Sequence, residues 1–109
     1  MDDVTPLLTA VDTFADRLRA LPQSRLSRGA AAEALALARE LAARAQRMEE
    51  PGETAPREMP DAGMFAVADQ VAVAGHDLAE ALAACGAPEG AVAEAVELVA
   101  GAARRCGLQ

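Results

Sequence analysis

The chain contains no lysine, asparagine, isoleucine, tyrosine or tryptophan, and has only two phenylalanines, two cysteines and one histidine in 109 residues. Each scarcity removes a class of function. Two aromatic residues cannot line a ligand pocket of the usual apolar and aromatic kind. Two thiols, Cys85 and Cys106, without further cysteines or a neighbouring histidine, fall short of a zinc signature. Both read as small buried hydrophobes near the ends of two different helices. Gly-rich phosphate loops, Ser-His-Asp spacings and a thiol beside a base are all missing. The expectation is therefore a protein that is not an enzyme and needs no cofactor. The N-terminal text MDDVTPLL is acidic where a secretory signal requires cations, and no apolar run approaches the roughly 20 residues that cross a bilayer. Those features predict a cytoplasmic protein with no membrane partner.

Charge is lopsided. All ten cations are arginine, set against 17 acids for a net charge of −7. Residues 1–50 carry eight acids and seven arginines, residues 51–109 nine acids and three arginines. Nucleic-acid binding requires a clustered basic surface to neutralise phosphates, and this distribution argues against it. The excess of alanine and arginine is also the residue usage of a high-GC, bacterial genome.

What is present in quantity is alanine, 29 residues against 26 Leu, Val, Met and Phe together. Each buried alanine removes little apolar area from water, at roughly 25 cal/mol per Å². An Ala-rich core is thin, and a second copy or another protein could supply the missing burial. Alanine also lets helices approach closely.

The periodicity predicts four helices. Thr5-Pro6 opens the first, with Thr5 as cap and Asp2 and Asp3 at the positive end of the dipole. Leu7, Leu8, Val11, Phe14, Ala15 and Leu18 form one stripe at helical spacing. Pro22 ends it, because the residue before a proline avoids the helical region. Ser24 or Ser27 is expected to cap a second helix reaching about Glu49, with Leu26, Ala30, Ala34, Leu37, Leu41 and Ala45 inward. A second apolar strip on that helix, Ala31, Leu35, Ala38 and Ala42, widens its apolar arc. Either the helix is central in the bundle, or this strip is an interface with a second copy.

Residues 50–60, EPGETAPREMP, hold three prolines and one glycine and cannot continue a helix. They form a linker long enough to cross the end of a bundle or run along its side. A third helix is predicted over 61–86, capped by Asp61 and terminated by a left-handed Gly86. Its apolar arc includes Met64, Phe65, Ala68, Val71, Leu78, Leu82 and Cys85, with Gly75 in the middle. A glycine there costs up to about 1 kcal/mol relative to alanine, which points to a close approach of another helix. Pro88 opens a last helix to about Cys106, with Val92, Ala95, Val96, Val99, Ala102 and Ala103 inward. The sum is an all-α protein, an antiparallel four-helix bundle made of two helical hairpins (5–49 and 61–106), in a single domain spanning 1–109. The two cysteines then sit at opposite ends, too far apart for a disulfide.

The polar arc of the third helix holds Asp69, His76, Asp77 and Glu80. Spacings of seven and four bring Asp69, His76 and Glu80 to one side of the helix. Carboxylates beside an imidazole can orient it as a base, or the group can bind a metal. Inward-facing Glu-x-x-His pairs of the kind that build metal sites inside bundles are not present. The run His76-Asp77-Leu78-Ala79-Glu80 resembles the His-x-Leu-Lys-Gly pattern of histidine phosphotransfer domains at His76 and Leu78. Those domains are four-helix bundles of similar length, and the resemblance implies His76 as phosphoacceptor. Ala79 stands where the pattern has a cation and Glu80 where it has glycine. The leading expectation is instead a non-enzymatic helical protein working through protein contact, as a homodimer; a phosphotransfer domain or a small-ligand or metal-binding bundle is the alternative.

Overall fold

The computed structural model describes residues 3–52, 55 and 57–108. Asp2, expected at the start of the first helix, lies outside the described residues, as do linker positions 53, 54 and 56. Four long helices, α1 (Thr5–Ala20), α3 (Ala31–Glu49), α4 (Val67–Ala84) and α5 (Ala91–Arg105), form an all-α bundle, with a single turn, α2 (Gln23–Arg25), between the first two.

The ends of α1 follow from its sequence, with one shift. Thr5 lies inside the helix, and its N–H donates to the Asp3 carboxylate at 2.9 Å. Asp3 therefore supplies the capping group expected from Thr5. That bond holds the Asp3 carboxyl below its ordinary value. At the other end Leu21 is extended, ψ 141°, as the following proline requires. Leu7, Val11, Phe14, Ala15 and Leu18 are buried.

The second expected helix is broken. After α2, residues Leu26–Ala30 make a wide π-type turn in which Gly29 takes φ 145°, ψ −20°. Only glycine adopts that conformation cheaply, so regular helix starts at Ala31. Neither serine caps it; the Ser27 hydroxyl donates to the Ser24 carbonyl at 3.2 Å. Both apolar strips of α3 enter the core. Leu37 and Leu41 are buried from the main face, and Leu35 and Ala38 from the second. This helix is central, packed on α4 and α5.

The third expected helix is shorter than its periodicity suggests. The Asp61 carboxylate accepts the N–H of Gly63 at 2.8 Å, Gly63 turns to φ 96°, and the Ala66 N–H bonds the Gly63 carbonyl. Local side-chain bonding of this kind competes with helix, and α4 begins at Val67. Phe65, expected in the apolar arc, is 76% exposed as a result. The C-terminus matches expectation. Gly86 is left-handed and the Ala87 N–H reaches back to the Leu82 carbonyl, the Schellman pattern. Gly107 ends α5 in the same way, with Leu108 bonded to Ala103.

Directions follow from the cross-helix pairs. Asp12 meets His76 and Arg19 meets Asp69, so α1 and α4 are antiparallel. Arg44 meets Glu94 and Arg105 meets Glu33, so α3 and α5 are antiparallel as well. Cys85 lies by Met48 at one end and Cys106 by Ala30 at the other, so α3 and α4 run parallel. Within each hairpin the two long helices, α1 with α3 and α4 with α5, are antiparallel, yet each packs mainly on helices of the other hairpin. Parallel α3 and α4 oblige the connection to travel back along the bundle. Arg57 N–H donates to the Gln46 side chain at 2.8 Å, Arg39 Nε to the Met59 carbonyl at 2.8 Å, and Gln70 Nε2 to the Pro60 carbonyl at 2.9 Å. Of the two routes open to a linker of this length, it takes the side.

The centre of the α1 and α4 seam is Gly75. A Cβ built there would lie 2.5 Å from both methyl carbons of Val11. Alanine in a helix normally gains about 1 kcal/mol over glycine, but forced overpacking costs about 1–3 kcal/mol. Gly75→Ala is expected to destabilise the protein in urea unfolding, and Val11→Ala in the same chain to recover part of the loss. An increase in stability for Gly75→Ala would contradict the close approach.

Candidate functional site

The sequence placed Asp69, His76, Asp77 and Glu80 together on one helical arc. All four are exposed on α4, but they do not converge. His76 Nε2 lies 2.8 Å from Asp12 Oδ1 of α1. Seven residues earlier on α4 and seven later on α1, Arg19 donates to Asp69 at 2.7 Å and to Asp16 at 3.0 Å. Bonding to Asp69 raises the Arg19 guanidinium above its ordinary value. Asp77 and Glu80 make no ion pair among the described residues. The arc therefore splits into two bridges across the seam, one beside Val11 and Gly75 and one two turns along, and two solvated carboxylates.

Asp12 and Arg19 escaped the sequence reading because they belong to a different helix 50 and more residues away. Their own spacing of seven, equal to that of Asp69 and His76, is the one signal that could have suggested them. Among the described residues, no group of three or more His, Cys, Asp or Glu side chains could hold a metal ion. A phosphoryl group arriving at His76 Nε2 would meet the Asp12 carboxylate there, in addition to Asp77 and Glu80 nearby in sequence.

The proposed interface strip is also changed. Leu35 and Ala38 are 8% and 0% exposed within the chain itself, so a second copy could reach only the half-buried Ala31 and Ala42. The cause is the neighbouring α4, which covers the second apolar face of α3. The two thiols are free and lie at opposite ends. Cys106 is buried as expected, whereas Cys85, the residue that closes α4, is exposed.

Three hollows lie against α4 or the turn before it. One of about 420 Å³ lies between α3 and the turn before α4, lined by Leu26, Gly29, Ala31, Leu35, Met64 and Val67 among others. A second, about 190 Å³, lies beside Phe65, with Leu18, Leu21, Met64 and Ala68 in its wall. A third, about 230 Å³, has Met48, Leu78, Leu82 and Pro88 beneath Arg44 and Arg47. Its cations are already engaged: Arg44 by Glu94 and Glu40, Arg47 by Glu40. None of the three contains a nucleophile paired with a base. Phe65 and Val73, at 76% and 59%, are the exposed large hydrophobics among the described residues. Comparison with protein-family models, curated proteins and solved structures finds no match.

Two measurements check this geometry. The exposed pair Asp12 and His76 is expected to couple by less than about 1 kcal/mol in a double-mutant cycle with alanine; a much larger coupling would mean that the pair does more than trim the seam. The thiols are expected to differ. Burial, reinforced by Glu33, pushes the Cys106 thiol above its ordinary 9.0. The unfolded chain ionises this thiol first, so its contribution to stability is complete below the ordinary value and fades as pH rises through the raised one. With an aromatic disulfide reagent Cys85 should label at once and Cys106 only as fast as the chain unfolds; equal rates would contradict the burial of Cys106.

Proposed function

We propose that the protein is a non-enzymatic helical module that works by contact with another protein. The observation that carries this reading is Phe65, one of two aromatic residues in the chain, held 76% exposed by an Asx turn and a left-handed glycine. Burying a phenylalanine is worth about 1.5–3 kcal/mol, and this chain has few large side chains with which to build its core. A sequence so short of them gains from Phe65 elsewhere, and aromatic side chains are enriched at protein interfaces. The hollows on either side of the turn at 64–66 are apolar and open, as contact surfaces are. Self-association through the strip Ala31, Leu35, Ala38 and Ala42 loses its motive once Leu35 and Ala38 are inside.

The test is site-specific crosslinking in the host. A photoreactive phenylalanine analogue at position 65 should give discrete adducts with other polypeptides, and the same analogue at exposed Ala93 on α5 should not. Absence of adducts at 65, in a protein whose circular dichroism is unchanged, would remove the reading.

A further inference from the structure

Both exposed large hydrophobics lie on or beside one face of α4. At 3.6 residues per turn, Asp69, Val73, His76, Asp77 and Glu80 fall within roughly 100° of arc, and all are exposed. Phe65 stands at the N-terminal end of this face, with the hollow of about 190 Å³ beside it. Asp12 and Asp16 of α1 border it through their pairs with His76 and Arg19. The charge of the face is one-sided: five carboxylates against one guanidinium, Arg19, which Asp16 and Asp69 already hold.

The two apolar anchors say that the face is covered, and the charge says by what. A second copy would bring five carboxylates of its own to a face with no free cation, and like charges brought together across an interface cost several kcal/mol. Phosphate backbones and anionic lipids are repelled for the same reason. A cationic partner is attracted, and the distance from Asp69 to Glu80, about 17 Å of helix, suits a helix of two to three turns laid along α4. Such segments present apolar residues at i, i+3, i+4 and i+7 with charge on their flanks.

Resting on the contact reading above, we propose that the outer face of α4 docks a basic amphipathic helix of a partner protein. Its apolar side chains cover Phe65 and Val73 and fill the hollow at Leu18, Leu21 and Met64. Its Lys and Arg side chains meet Asp77 and Glu80 on one flank and Asp12 and Asp16 on the other. The carboxylates Asp77 and Glu80, which make no bond among the described residues, are the ones with most capacity to give. Specificity here comes from the apolar anchors, because exposed charge alone is screened within about 8 Å at physiological salt.

The probe is a fluorescein-labelled synthetic peptide of leucine and lysine patterned for one apolar helical face, with a leucine and glutamate peptide as its opposite. Fluorescence anisotropy at physiological salt should show saturable one-site binding of the basic peptide and none of the acidic one. Phe65→Ser, and separately Asp77→Arg with Glu80→Arg, should each weaken binding by about fivefold or more, the scale of an interface residue whose truncation costs over 1 kcal/mol. Glu49→Arg with Glu89→Arg makes the same charge change at exposed positions off this face and should change binding less than about twofold, as expected of screened surface charge. All variants alter exposed side chains, and circular dichroism checks their fold. Equal weakening by the two charge-reversed pairs would mean non-specific attraction and overturn the proposal, as would failure of the wild type to bind. A wild-type dimer in sedimentation velocity that Phe65→Ser abolishes would assign the face to a second copy, with the same consequence. Crosslinks at position 65 without peptide binding would leave the contact reading intact and remove only the basic helix.

Discussion

The close approach of α1 and α4 at Val11 and Gly75 is the constraint on which the rest of the bundle depends. Two helices can come this near only where one of them has no Cβ, and Gly75 is placed where Val11 takes up the space. With the axes drawn together, short side chains suffice to fill the seam, and an alanine-rich chain can bury Ala15, Ala68 and Ala74 to useful effect. The polar bridges share one rim of the seam, Asp12 with His76 beside the contact and Arg19 with Asp69 two turns along. Exposed ion pairs of this kind contribute little energy; their effect is to favour one register of α1 on α4. His76 is thereby accounted for without any chemistry.

A second consequence concerns topology. With α4 antiparallel to α1, the core has room on the far side of α4 for α3, and α3 enters parallel to it. The connection must then return along the bundle, and its residues 57–60 are tied there by Gln46, Arg39 and Gln70. Gln46 is the buried polar side chain of the core, 7% exposed, and it accepts the N–H of Arg57 in that strap. Both apolar strips of α3 are consumed by this arrangement. Leu35 and Ala38 of the second strip pack inside the chain, and the large hydrophobics left exposed among the described residues are Phe65 and, on the outer face of α4, Val73.

Function follows from what the fold leaves unused. Within the described residues the geometry assembles no metal site, and His76 is occupied by a carboxylate. The remaining features are an exposed phenylalanine fixed by a rigid turn, an exposed valine, and unpaired carboxylates on the same face. They are the features on which the proposed contact with a partner rests.

Much of this was legible in the residues. Spacing of Leu7, Val11, Phe14 and Leu18, the break at Pro22, the proline-rich linker, the terminator Gly86 and the meaning of Gly75 are all local or periodic signals, and each predicts what the backbone does. The all-α bundle follows from them. The apolar period runs on through Gly29, Gly63 and Gly90, and the positive φ of each delays the start of α3, α4 and α5, so that α5 opens at Ala91 and not at Pro88. Which face of α3 is covered, and by which helix, could not be read locally, because a broad apolar arc fits a central helix and a dimer surface equally well. The same holds for the polar arc of α4: its residues share a side by sequence, but only the packing of α1 supplies Asp12 and Arg19 and divides one apparent cluster into two bridges. Sequence by itself determined that there are four long helices, the stop of α4 at Gly86 and the close contact at Gly75, since these depend on neighbours a few residues apart. Tertiary structure alone decided the pairing of helices, the path of the strap and the face left exposed, since these depend on which distant side chains compete for the same space.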